Sequence, residues 1–182
     1  DAKNYDISLA DGTLTIERKS SGGGTGGTTT TPTNTDTNNT GVTTSNPTAT
    51  VKGKTATSTI SSSDASKLVS DAVANKAREI VITPEINKSA DVTKTILDIP
   101  ASAIKDIAQK TKADVKVETP LGNLTFDAEA LESIANQSNG SNVSISVEKV
   151  DVDKLSEESK KAVGDSLVID LTITSNNEKI SN

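Results

Sequence analysis

The chain has 182 residues, a net charge of −6 and no Cys, His, Met or Trp; one Tyr and one Phe are its only aromatics. These absences exclude Cys/His zinc sites, haem, iron–sulfur clusters, thiol nucleophiles, Ser-His-Asp triads and disulfides. The acidic balance argues against nucleic-acid binding, which needs a basic footprint, and Tyr5 and Phe126 cannot build a stacking surface for bases or sugars.

In chain order, Tyr5, Ile7 and Leu9 alternate with Asp6 and Ser8, and Leu14 and Ile16 alternate with Thr13, Thr15 and Glu17. Alternation on both sides of Asp11-Gly12 predicts a β-hairpin over residues 1–19. An isolated hairpin is marginal in water, so this one is expected to close a β-domain lying upstream. With no Met and a start at Asp1, the chain reads as a piece of a longer protein. Residues 20–46 then contain eleven Thr and six Gly, with Val42 the only hydrophobic residue and Asp36 the only charge. Such a stretch cannot offset the entropy of ordering its backbone and is expected to be a disordered linker.

Residues 47–182 carry the apolar periodicity of a folded domain with a Val/Ile/Leu/Ala core. Residues 51–60 predict a strand. Ser61 to Asp64 offer N-cap side chains, and Ala65, Leu68, Val69, Ala72 and Val73 form one helix face. A short strand follows around Ile80-Val81-Ile82, and another runs from Val92 towards Ile99. Pro100 suits the first turn of a second helix, with Ile104, Ile107 and Ala108 inward. Strands at 114–118 and 121–126 are joined at Thr119-Pro120-Leu121-Gly122-Asn123, a hairpin candidate. Asp127 can cap a third helix with Leu131, Ile134 and Ala135 inward, ending at Asn139-Gly140. Val143, Ile145 and Val147 mark a strand. Ser156 can cap a short helix ending at Gly164, and 167–173 is the last strand. The elements after Ile99 and after Phe126 echo each other at about 27 residues, as a duplicated hairpin–helix unit would. The expected fold is α+β: a mainly antiparallel sheet with three to four helices on one face and a solvated polar face on the other.

Asn4-Tyr5-Asp6-Ile7-Ser8 followed by Gly12-Thr13-Leu14-Thr15-Ile16 resembles the C-terminal hairpin of MBG (YGX-type) immunoglobulin-like repeats. Three further runs, residues 99–104, 120–127 and 162–175, resemble a domain of Firmicutes surface proteins that follows a Thr/Gly linker and precedes S-layer homology (SLH) repeats. No SLH repeat lies within the sequence. The resemblance implies a bacterial cell-surface setting outside the cell and carries over no functional residues.

Four groups of residues invite chemistry. Asp127 and Glu129 could pair as acid and base, but a capped helix start explains both. Asp151 and Asp153, near Glu157 and Glu158, match the opening of a calcium loop, yet the pattern fails at Leu155 and Ser156. Lys110, Lys112 and Lys116 form a small basic cluster that a solvated helix end explains. Asn-X-Ser/Thr triplets at Asn38, Asn87, Asn123, Asn136, Asn139 and Asn142 are about as frequent as chance gives in so Ser/Thr-rich a chain. The residues therefore offer no catalytic, metal or cofactor site. The expected role is a non-catalytic spacer of an extracellular surface protein, with no membrane span. The alternative is an adhesin-type module that binds a wall polysaccharide or a neighbouring surface module through its polar sheet face or its loops.

Overall fold

The computed structural model describes residues 14–17, 37–38, 41–87, 90–164 and 166–180. The first strand of the expected hairpin and most of the expected linker lie outside the described residues. The described elements are β1 (Leu14–Glu17), β2 (Thr37–Asn38), β3 (Val42–Ser45), β4 (Ala49–Lys52), β5 (Thr55–Thr59), α1 (Ser62–Ala74), β6 (Glu79–Ile82), β7 (Lys94–Ile99), α2 (Ala101–Lys110), β8 (Asp114–Thr119), β9 (Gly122–Phe126), α3 (Ala128–Gln137), β10 (Val143–Lys149), α4 (Glu157–Val163), β11 (Ile169–Ser175) and β12 (Glu178–Lys179). The fold class is α+β, as expected.

Most described strand pairs are antiparallel, as expected, but the sheet arrangement differs from the expectation in two ways. The described residues form two sheets, ordered β1-β9-β8-β6-β3-β2 and β12-β11-β10-β7-β5-β4. Both are mixed, because β3–β6, β6–β8 and β5–β7 pair in parallel. The reason is the path of the helices. α1 leads from β5 to β6 and α2 from β7 to β8, each a crossover from the second sheet to the first. α3 makes the return journey from β9 to β10. Two successive crossovers in the same sense lay β6 and β8 side by side in the same direction, which tight hairpins cannot do.

The linker expectation is corrected at its C-terminal end. Val42–Ser45 is a strand inside the first sheet, with Thr43 beside Ile80 and Ser45 beside Ile82. Thr43 and Ser45 are buried despite their hydroxyls. Residues 42–52 form one extended run from the first sheet to the second, tied to residues 83–85 by Thr83 N–H to Ser45 O, Glu85 N–H to Pro47 O and Ala49 N–H to Glu85 O. The folded unit therefore includes Gly41–Asn46. Threonine's β-branching suits a strand, and here it outweighs the polarity that reads as linker. The single strand expected over 51–60 is likewise two, folded back at Gly53, whose φ of 59° lies in the left-handed region.

One core joins both sheets and three helices. Ile80, Ile82, Val115, Val117, Leu124 and Phe126 come from the first sheet; Leu97, Ile99, Val143, Ile145 and Val147 come from the second. α1 contributes Ala65, Leu68, Val69 and Ala72, α2 contributes Ile104, Ile107 and Ala108, and α3 contributes Leu131, Ile134 and Ala135. Three of the four described helices thus bury an apolar stripe, whereas α4 buries no residue. Strand end and helix repeat at the expected 27-residue spacing, but the hairpin does not: β9 pairs with β8, whereas β7 pairs with β5 and β10. β7 and β9 end at Ile99 and Phe126, and α2 and α3 are both ten-residue helices that start two residues later. Side chains cap α1, where Ser61 Oγ accepts from Asp64 N at 3.1 Å, and α4, where Ser156 Oγ accepts from Ser159 N at 3.2 Å, whereas α2 has no side-chain cap and Pro100 precedes its first turn.

Candidate functional site

α1 and α2 end in the same way. Asn75 closes α1, and Lys76 follows with φ 49°; Thr111 closes α2, and Lys112 follows with φ 56°. A buried alanine comes next in both, Ala77 and Ala113; β8 then begins at once, and β6 one residue later, after Arg78. A left-handed residue after a helix lets the chain reverse while satisfying the last carbonyls. Ala77 N–H reaches Ala72 O at 2.9 Å for that purpose. Glycine is the usual occupant, so a lysine here costs conformational energy. Because β6 and β8 are neighbours in parallel, with Glu79 beside Asp114, the two turns stand side by side.

Between them lies a hollow of about 370 Å³. Lys76, Arg78, Lys110 and Lys112 line it, with Asp114 the only acid and Val73 an exposed apolar wall. Lys110 is engaged by Asp106 at 2.9 Å. Among the described residues, Lys76, Arg78 and Lys112 form no salt bridge. Part of this positive charge offsets the negative C-terminal ends of the two helices. The remainder makes a local cationic patch on an acidic chain, suited to a carboxylate- or phosphate-bearing ligand.

Of the expected basic cluster, the hollow unites Lys110 and Lys112 but not Lys116, which pairs with Glu118 at 3.4 Å on β8. Lys76 and Arg78 complete the patch from a different loop. The signal that finds them in sequence is the repeated turn, Asn75-Lys76-Ala77-Arg78 against Thr111-Lys112-Ala113-Asp114.

Three of the carboxylates with a chemical alternative, Asp127, Asp151 and Glu157, are held in structural bonds. Asp127 Oδ1 accepts from Ala130 N at 2.8 Å and caps α3, while Glu129 is exposed in the first turn. Asp151 caps a single 3₁₀ turn, Val152–Lys154, through Asp153 N at 3.2 Å and lies 3.5 Å from Lys154. Glu157 bonds Lys160 at 2.9 Å. Among the described residues no group of three or more acidic side chains could hold a metal ion.

The outward sides of both sheets carry bonds between their own side chains. Lys94 bonds Glu148 at 2.8 Å across β7 and β10, Ser144 donates to Asp98 in the same pair of strands, and Thr83 donates to Glu118 at 3.1 Å. Lys54 and Asp91 meet at 2.8 Å in solvent. That bond holds the Asp91 carboxyl below the usual carboxylate range and the Lys54 ammonium above its ordinary value. Of the possible glycan acceptors, Asn123 sits inside β9 with its Oδ1 buried, whereas Asn87, Asn136, Asn139 and Asn142 are exposed. No helix of the described residues is long and apolar enough to cross a membrane. Comparison of the chain with protein-family models, with curated proteins and with solved structures finds no match.

Proposed function

We propose that the chain is a non-catalytic spacer module of an extracellular bacterial surface protein, set between a stalk and the part that anchors it. The observation that supports this reading is the employment of its polar groups. Asp127 and Asp151 cap backbone turns, and the outward Lys94–Glu148 and Asp98–Ser144 pairs lock neighbouring strands to one another. Side chains that serve each other stiffen a module and leave few donors and acceptors for a ligand. Retention of the full chain on purified cell-wall polysaccharide tests it: a spacer passes through, and saturable retention counts against it.

A second reading is an adhesin-type module for an acidic wall polysaccharide, favoured by the Lys76, Arg78, Lys110 and Lys112 hollow. In that case Arg78→Glu and Lys112→Glu abolish retention, and added salt weakens it steeply.

A further inference from the structure

Sheet edges left unpaired are templates for other chains, and proteins guard them with charge, brevity or cover. Beneath β1, the strands that bound the two sheets are β9, β2, β4 and β12, and three of these four are of the guarded kind. β2 and β12 are two residues long, and β4 and β12 carry Lys52, Glu178 and Lys179. β9, Gly122-Asn123-Leu124-Thr125-Phe126, is different: five residues with no charge and no proline. Its protection is β1, which lies antiparallel along it with Leu14 beside Phe126, Thr15 beside Thr125 and Ile16 beside Leu124.

The covering strand copies the strand it covers. Leu14-Thr15-Ile16 matches Leu124-Thr125-Phe126, with a glycine two residues before each run. Pairing two nearly identical strands antiparallel about Thr15 and Thr125 makes the contact almost two-fold symmetric. A second copy of β9 could therefore occupy the place of β1, with Leu124 beside Phe126 of the other copy and Thr125 beside its counterpart. A self-complementary patch of this kind is what a closed two-fold dimer requires.

We propose that β9 is a homodimerisation edge and that β1 is its built-in competitor, so that withdrawal of β1 lets two copies join their first sheets through β9. Because β1 belongs to the same chain, it competes at a high effective concentration and keeps the covered form monomeric. The test uses the full chain. Thr15→Pro removes a backbone donor and disrupts strand pairing in β1. Sedimentation should show a monomer for the wild type and a monomer–dimer equilibrium for Thr15→Pro. Adding Thr125→Lys sets two cations opposite each other on the two-fold and should return the variant to monomer. The chain has no native Cys, so Thr125→Cys gives a clean second readout. Opposed β residues lie within disulfide range, so under mild oxidation it should form dimers much faster with Thr15→Pro than without, while Lys149→Cys in the same background does not. A Thr15→Pro protein that stays monomeric overturns the proposal. So does a dimer insensitive to Thr125→Lys, equal cross-linking from Lys149→Cys, or loss of the far-UV signal in dilute Thr15→Pro, which would make β1 integral to the fold and not a cover.

Discussion

Thr43 gives the sharpest energetic test of where the folded unit begins. It is fully buried in β3, and its Oγ1 has no hydrogen-bond partner. A hydroxyl left unsatisfied in a protein interior costs about 1–3 kcal/mol. Thr43→Val keeps the β-branched shape, replaces the hydroxyl with a methyl and places it against the apolar neighbours around Ile80. The variant should be more stable by about 1 kcal/mol, which for a unit of this size raises Tm by roughly 3 °C. Thr43→Asp should lower stability by about 3 kcal/mol or more, because it buries an unpaired charge. Thr44, whose side chain points to the other face of the same strand, serves as the control: Thr44→Val should change stability by less than about 0.5 kcal/mol. With no Trp in the chain, urea melts followed by far-UV circular dichroism are the suitable assay. If Thr43→Val and Thr43→Asp are both as silent as Thr44→Val, residues 42–45 are linker and the placement of β3 in the core is wrong.

Three further outcomes follow from the same bonds. Asp127→Ala should cost about 1 kcal/mol in urea melts as a lost N-cap, and Asp127→Asn much less, since an asparagine oxygen still accepts from Ala130 N. Lys76→Gly and Lys112→Gly should each raise stability by up to about 1 kcal/mol by relieving left-handed strain, and either one destabilising would show that the lysine side chain contributes packing worth more than that strain. Asp91→Asn should shift the urea midpoint slightly downward at neutral pH and not at all in acid. The carboxyl that Lys54 holds below its ordinary range stabilises the fold above its unfolded pKa and loses that effect as pH falls through its folded value. Molar salt should erase the difference, because the pair is in solvent.

Much of this architecture is legible in the residues, and the exceptions have physical causes. The stripes of α1, α2 and α3 stand out because apolar side chains recur at helical spacing, and the caps Ser61, Asp127 and Ser156 stand out because their neighbours need acceptors. Val73 belongs to the α1 stripe by spacing yet is 45% exposed, since the stripe's edge opens onto the basic hollow. β3 is invisible to apolar counting because its buried faces are Thr43 and Ser45. β12 is likewise hidden, its turn being made by Asn176 and Asn177, both at positive φ, after a strand that already looks complete. The division into two sheets cannot be read from periodicity at all. A strand's alternation states that one face is buried, not which neighbour it pairs with, and the parallel crossovers here are decided by the shared core. The hollow is split in the same way: Lys110 and Lys112 are close in sequence, whereas Lys76 and Arg78 join them only through the pairing of β6 with β8.

The most direct measurement of the proposed role is a binding isotherm of the full chain against purified acidic cell-wall polysaccharide at low and physiological salt, with Arg78→Glu/Lys112→Glu as the comparison. A spacer gives no saturable binding in either protein at physiological salt, and whatever weak association appears at low salt is charge-driven and lost on salt addition. Saturable binding at physiological salt that the double variant abolishes would contradict the spacer and establish the basic hollow as a polysaccharide site.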